Sequence, residues 1–386
     1  MIAAIAIGLW GGLFASGIFT GMYDTMISAA IDRQYGHFQL HVKDFRTERM
    51  IGMVIPDADG IVRHLRTIPG VVGVTGRTVI DGMASSTTSN QGVTIVGVDP
   101  EEEHSVTMVS HRLVEGNYFE GNKRNPILIG RKLADKLSLR LHGKIVLAFQ
   151  NTDGTIIYGA FRIVGIFDTE ADSFDGTTVL IRSTDLAALT GRPMVHEIAV
   201  RLATNDSLSS VTRQVSQRYP ALAVDTWMDL APELKLTAES ADITMEIFLG
   251  VILLALLFGI TNTMLMSVLE RTREFGVLMA VGMKRIRVFS MVVIETLCLS
   301  LTGSVVGVAL GVTSVWLTAH SGGISLAWFS AGLSAYGISS TLIPVVHAAV
   351  YPVLAAMVVG SACAAAVYPA VKAIHLNPAS AIATYG

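Results

Sequence analysis

Apolar residues gather in four stretches of this 386-residue chain. Residues 1–23 hold no Asp, Glu, Lys or Arg; 247–269 hold none over 23 positions and 296–317 none over 22; a fourth apolar run covers 348–371. A helix needs ~20 apolar residues to cross a hydrocarbon core. The pattern therefore predicts four transmembrane helices, at 1–30, 243–269, 288–318 and 348–371. The first run lacks a basic n-region and a clear small-x-small cleavage site, so it reads as a spanning helix and not as a signal peptide. A spanning helix that opens at Met1 without a flank also creates the expectation of a short basic segment upstream.

Between the first two runs, residues 32–238 change to a mixed α/β pattern. HFQLHV (37–42) reads as a strand, and 57–80 as a helix, a break at Pro69-Gly70 and a strand. QGVTIVGVDP (91–100) is a further strand. HEIAVRLA (196–203), NDSLSSVTRQVSQRYP (205–220) and ALAVDTW (221–227) repeat strand, helix, strand, with Asp206 as the candidate helix N-cap. The two halves predict a split βαβ core. An inserted β-rich subdomain is expected at about 104–190, with a helix at 131–138 and strands near 144–150, 155–167 and 177–182. NTDG (151–154) is a hairpin turn signal. The fold class is thus an α-helical membrane protein with four transmembrane helices plus a large α/β extracytoplasmic domain.

Charge orients the chain. Of 28 basic residues, 22 lie within 32–238; five of the other six are Arg271, Arg273, Lys284, Arg285 and Arg287. Short Lys/Arg-rich loops stay in the cytoplasm, whereas long domains cross regardless of charge. Hence 270–287 is expected to be a cytoplasmic elbow. The loop 319–346, free of Lys, Arg, Asp and Glu, and the domain 32–238 are expected outside. Lys372 opens a cytoplasmic tail, 372–386, so both termini lie inside. A composition of 51% hydrophobic and 15% charged residues fits a part-soluble membrane protein. A net charge of −3 gives no sign of a nucleic-acid partner. Cys298 and Cys363 both lie in apolar runs, which argues against a disulfide framework.

Several strings carry a resemblance. ITNTMLMSVLERTREFGVLMAVGMKR (260–285) resembles the cytoplasmic elbow of FtsX-like ABC transporter permeases. YPAVKAIHLNPASAI (368–382) is similar to that family's closing segment. GVDPEEE (97–103), LVEGNYF (113–119), ILIGRKLADKLSLRLHGKIVL (127–147) and FRIVGIFDT (161–169) resemble the external domain of its lipoprotein-releasing branch. The resemblance implies a porter-like split βαβ core and a bacterial inner-membrane location. It also implies a cytoplasmic ABC ATPase partner that binds the ATP and Mg, a second permease copy or paralogue, and a periplasmic acceptor. The sequence holds no Gly-x4-Gly-Lys-Ser/Thr phosphate loop. Ser321-Gly322-Gly323 resembles an ABC signature fragment only superficially, because it sits in the uncharged external loop. Release of lipoproteins is the expected function. Tripartite efflux and activation of a periplasmic cell-wall hydrolase are the alternatives.

The expected ATPase-coupling residues are Glu270, Arg271, Arg273, Glu274, Phe275, Gly276, Leu278, Met279 and Gly282. Phe275, Leu278, Met279 and Gly282 form one helical stripe, which could enter a groove on the ATPase. From spacing alone, a helix lying on lipid headgroups is equally consistent; the resemblance favours coupling. Glu295 lies about two turns into the third run. It is a proton or substrate relay, or, as its shallow depth favours, the structural partner of Arg271 or Arg287. Gly303, Gly307 and Gly311 form a small-xxx-small face expected to pack within the chain. Gly8, Gly12 and Ser16 form a second, expected to meet a partner permease. Phe19 and Phe248 are candidates for a lipid-cargo path between the first two helices. His37 and His41 share a strand face, but no Cys, Asp or Glu cluster completes a metal shell, and no metal is expected. No Ser-His-Asp arrangement tied to a nucleophile elbow is present, so the chain is expected not to be an enzyme.

Overall fold

A charge-free segment in hydrocarbon must satisfy its own backbone, which a helix does alone. The computed structural model describes residues 1–119, 125–329, 332, 341–346 and 350–374, and four of its helices are long and apolar enough to cross a membrane. Helix α1 (Ile2–Ala30) ends in a π turn, Ile31–Tyr35. The domain elements follow in order: β1 (Phe38–Val42), α2 (Ala58–Leu65), β2 (Val71–Ser85), β3 (Asn90–Val98), α3 (Pro100–Val106), β4 (Leu113–Gly116), β5 (Pro126–Gly130) and α4 (Arg131–Lys136). Next come β6 (Lys144–Gln150), β7 (Ile156–Phe167), α5 (Asp172–Thr177), β8 (Thr178–Arg182), α6 (Ser183–Thr190), β9 (Glu197–Leu202), α7 (Leu208–Arg218) and β10 (Leu222–Thr226). The chain then forms α8 (Pro232–Glu270), α9 (Thr272–Ala280), α10 (Arg285–His320) and α11 (Val350–Ile374).

The chain divides into two compact units: Met1–Asp24 with Thr237–Ser325 and Thr341–Gly386, and Thr25–Leu236 with Leu326–Ser340. Helix ends depart from the expected bounds. Helix α8 starts at Pro232, where a proline costs no helical hydrogen bond. Helix α10 starts at Arg285, and α11 runs through Lys372 to Ile374. The rest of the 372–386 tail, with most of the closing motif, lies outside the described residues. Within 319–346, Ile324–Ser325 pairs antiparallel with Thr341–Leu342.

The domain contains the split βαβ arrangement. Strands β10, β1, β9 and β2 are adjacent in that order and all antiparallel. Strand β1 alternates: Phe38 and Leu40 enter the core with Ile61, Leu65, Val211 and Val215 from α2 and α7. Asp206 is not the N-cap of α7. It lies inside a 3-10 turn, Asn205–Ser207, which tightens the chain before the helix opens and leaves Ser207 at the cap position.

The inserted subdomain starts earlier than residue 104, inside β2. Residues 71–77 of that strand pair with β9, while 78–85 pair with β3 and 82–85 also with β6. One strand therefore belongs to two sheets, and its unbroken alternation hides the boundary. The second sheet runs β3, β8, β5, β7, β4, with β6 between β2 and β7. Its core includes Ile95, Ile127, Ile145, Phe161 and Ile181. The NTDG turn closes β6 onto β7, with the Asn151 N–H donating to the Thr155 carbonyl at 2.8 Å.

Where β2 changes sheets, Arg77 is 3% exposed. It donates to Glu103 at 2.7 and 2.8 Å, to Glu197 at 3.0 Å and to the Gln34 carbonyl of the π turn at 2.6 Å. Arg201 pairs with Asp32 of the same turn at 2.7 Å. Two arginines thus hold the π turn, residues 31–35, to the strands of its own unit.

Asp175 is 1% exposed and accepts from the Thr169 N–H at 2.9 Å and from its hydroxyl at 2.7 Å. Burial, partly offset by these bonds, pushes its carboxyl up to about 6 from 3.8. The folded domain binds this proton more tightly than the unfolded chain. The associated stability is full below pH ~4 and lost as pH rises through about 6, an effect on the order of 3 kcal/mol. Asp175→Asn has no such proton. The wild-type urea midpoint should therefore fall relative to the variant's between pH 4 and 7; parallel profiles would refute the assignment.

Candidate functional site

The elbow is shaped by its two ends. Helix α8 stops at Glu270, and Arg271 leaves helical geometry at φ −98°, ψ 17°. Helix α9 closes on Gly282 at φ +100°, a conformation that favours glycine. Gly282 N–H donates to the Met279 carbonyl at 3.1 Å and Met283 N–H to the Leu278 carbonyl at 3.0 Å. This pair of bonds is a Schellman cap, which satisfies the carbonyls at the helix end. Lys284 is extended, and α10 opens at Arg285.

The faces of α9 differ from the expected docking stripe. Phe275 is 1% exposed and Gly276 is buried. Leu278 and Met279 pack against the same apolar cluster, which includes Val268, Val288, Val292, Ala370 and Ala373. The stripe therefore faces the protein's own helices and is not free to enter a groove elsewhere. The outward face carries Arg273, Glu274, Val277, Ala280 and Val281. Val277 is 47% exposed and Val281 85%. The sequence signal for this second face is that 275–283 is uncharged nearly all round the helix. A helix apolar on both faces needs two surfaces to cover it.

Arg271 joins the elbow to the third membrane helix. Its Nε donates to Glu274 at 2.9 Å, and its Nη1 donates to both Glu295 oxygens at 3.1 and 3.2 Å. The guanidinium also stands 5.5 Å from the centre of the Phe275 ring. These bonds, the one to Glu274 first, raise the pKa of Arg271 and keep it charged. Glu295 is thus an ion-pair partner of the elbow, its oxygens occupied by Arg271. Glu270 is exposed at the end of α8.

The small-residue faces both pack within the chain. A Cβ on Gly303 would meet Ile5, on Gly307 the Ala6 carbonyl and Leu9, and on Gly311 Leu13, so α10 receives α1 along this stripe. Gly8 faces Leu256 and Gly12 faces Leu249 and Ile252, so this stripe meets α8 and not a partner permease. Ser16, on the same face, is buried. Phe19 and Phe248 touch as a tilted pair, ring centres 6.3 Å apart. Among the described residues no group of three His, Cys, Asp or Glu is placed to hold a metal.

Two family models match the chain. One, described as an FtsX-like permease C-terminal region, covers residues 246–378; the other, a MacB-like periplasmic core domain, covers residues 1–218. Among curated proteins, a macrolide export ATP-binding/permease protein, MacB, of Brucella abortus is 31% identical over 175 residues, 42% of this chain and 27% of that protein. The MacB of Agrobacterium fabrum is 25% identical over 291 residues, 71% of this chain and 43% of that protein. The chain spans less than half the length of these relatives. Among solved structures, the periplasmic region of MacB from Actinobacillus actinomycetemcomitans matches 54% of this chain and 94% of that chain, with TM-score 0.37 and 11% identity. The extracellular domain of YknZ, a noncanonic ABC-type transporter from Gram-positive bacteria, matches 48% of this chain and 98% of its own, with TM-score 0.35 and 15% identity. Likenesses this loose bear no further argument.

The glycine contacts yield a test. At Gly307 a Cβ would lie 2.9 Å from a backbone oxygen, which cannot swing aside; at Gly259 nothing lies within 4 Å. Gly307→Ala should therefore lower the thermal aggregation midpoint of the detergent-purified chain, by an overpacking strain of ~1–3 kcal/mol. Gly259→Ala should leave it unchanged. Equal midpoints for both variants would contradict the α1–α10 contact.

Proposed function

We propose, for a chain that belongs to the FtsX-like permeases and carries a MacB-like periplasmic core domain, that it is the membrane subunit of an ABC transporter. ATP and Mg bind an ABC ATPase outside these 386 residues. The outward face of α9 receives that ATPase at the cytoplasmic side of a bacterial inner membrane, with both termini on that side. A second permease copy or paralogue completes the assembly, and its seam lies away from Gly8, Gly12 and Ser16. ATP-driven closure shifts the elbow, and α1 and α8, which both run from one unit into the other, carry the motion to the external domain. The chain acts in this reading as a lever.

The observation that carries the proposal is the outward apolar pair Val277 and Val281, flanked by Arg273 and Glu274 on a helix whose other face is already buried. A covered apolar centre with charges at its rim is the pattern of a protein contact. The likeness to macrolide export proteins favours export of macrolides as the transport task. Release of lipoproteins to a periplasmic acceptor is the second reading. The aromatic contact between Phe19 and Phe248 supports it, because an acyl chain needs an apolar route between helices.

Val281→Lys separates coupling from lipid contact. A lysine on a helix lying against headgroups gains attraction to anionic lipid. An unpaired lysine buried in a protein groove costs ~3 kcal/mol or more, on the order of 100-fold in affinity. Val281→Lys should therefore abolish transport-linked ATPase stimulation in the reconstituted complex, at unchanged membrane abundance, while Val281→Ala stays near wild type. Wild-type activity in the lysine variant would return α9 to the membrane surface.

A further inference from the structure

The start of α10 carries a polar-to-apolar gradient along one stripe. Arg287, Ser290, Met291 and Ile294 follow at helical spacing and, with Arg271 and Glu295, line an open groove of about 560 Å³. Over this stretch the helix advances ~10 Å, from the basic elbow into the third membrane-spanning segment. Arg287 is exposed and has no ion-pair partner among the described residues. Arg271 is turned inward by Glu274 and Glu295, so Arg287 is the guanidinium left at the groove's mouth. Deeper in, Met291 is 38% exposed and Ile294 60%.

We propose that this groove binds one anionic phospholipid, with its phosphate on Arg287 and an acyl chain along Met291 and Ile294. Charge selects the occupant. The groove's own lining holds Arg271 and Arg287 against one carboxylate, Glu295. The lining is net positive, and basic pockets beside membrane helices take anionic headgroups. Amphiphile order selects a lipid over free phosphate. A headgroup needs only the polar mouth, whereas the exposed Met291 and Ile294 below it match a chain. Both Glu295 oxygens are held by Arg271, which leaves Arg287 as the charge that meets the phosphate. Lipid at this position would brace the junction between α9 and α10 and make coupling sensitive to membrane composition.

The test is native mass spectrometry of the full detergent-purified chain. It is offered equal amounts of phosphatidylglycerol and phosphatidylcholine with identical acyl chains. The wild type should retain phosphatidylglycerol in preference by about fivefold, the effect of one well-placed basic contact. Arg287→Gln should bring the two lipids near parity. Ile294→Asp, which places a carboxylate in the chain's path, should do the same. Arg285→Gln, elsewhere on the helix, should leave the preference intact, and excess inorganic phosphate should not displace the lipid. No preference in the wild type, equal loss in Arg287→Gln and Arg285→Gln, or displacement by phosphate would each overturn the site. So would loss of ATPase association in Arg287→Gln with lipid retention unchanged, which would give the groove to the partner protein.

Discussion

Arg271 ties the elbow to the third membrane helix. A carboxylate inside a membrane helix needs a counter-charge, and Glu295 finds it in this one residue of the loop. Both groups are about a third exposed, so the pair adds little stability, ~1 kcal/mol or less. The arginine–ring contact adds ~0.5–1 kcal/mol, whereas burying Phe275 contributes ~1.5–3 kcal/mol. The apolar contact therefore holds α9 down and sets which face turns inward, and the charges tie the start of the helix to α10. With Phe275, Leu278 and Met279 turned inward, Arg273, Glu274, Val277, Ala280 and Val281 form the outward face of α9. The proposed coupling follows from that rotation.

A second arginine has the corresponding position in the external domain. Arg77 sits where β2 passes from one sheet to the other, and it also holds the π turn that ends α1. Removing one member of such a buried group leaves uncompensated charge and is strongly destabilising, by ~3–5 kcal/mol. The site therefore ties together the two sheets and the π turn.

Much of the fold is legible in the sequence because two signals are long and simple. Charge-free runs above ~20 residues mark the membrane helices, and alternation marks β1, β6 and β9 almost to the residue. Boundaries fail where one element serves two neighbours. The insert begins within β2, whose alternation does not change as its pairing changes. Asp206 has the right chemistry for a cap, but a 3-10 turn moves the helix start past it. The small-residue stripe of α1 states that a helix comes close and not which one; Leu256 of α8 is the answer. The elbow stripe turns inward for the same reason: spacing defines a face, and only tertiary contacts say what covers it. The Arg77 cluster joins residues as distant as Gln34 and Glu197, with no local pattern to reveal it.

In the proposed coupling, the Val277–Val281 face of α9 meets the ATPase while the Phe275–Leu278 face meets the chain's own helices. The most direct measurement is photo-crosslinking in the assembled complex, from an unnatural amino acid at Val281 or Leu278 in turn. ATPase capture is expected from position 281 and only intrachain products from position 278. Capture of the ATPase from 278 with none from 281 would contradict that coupling.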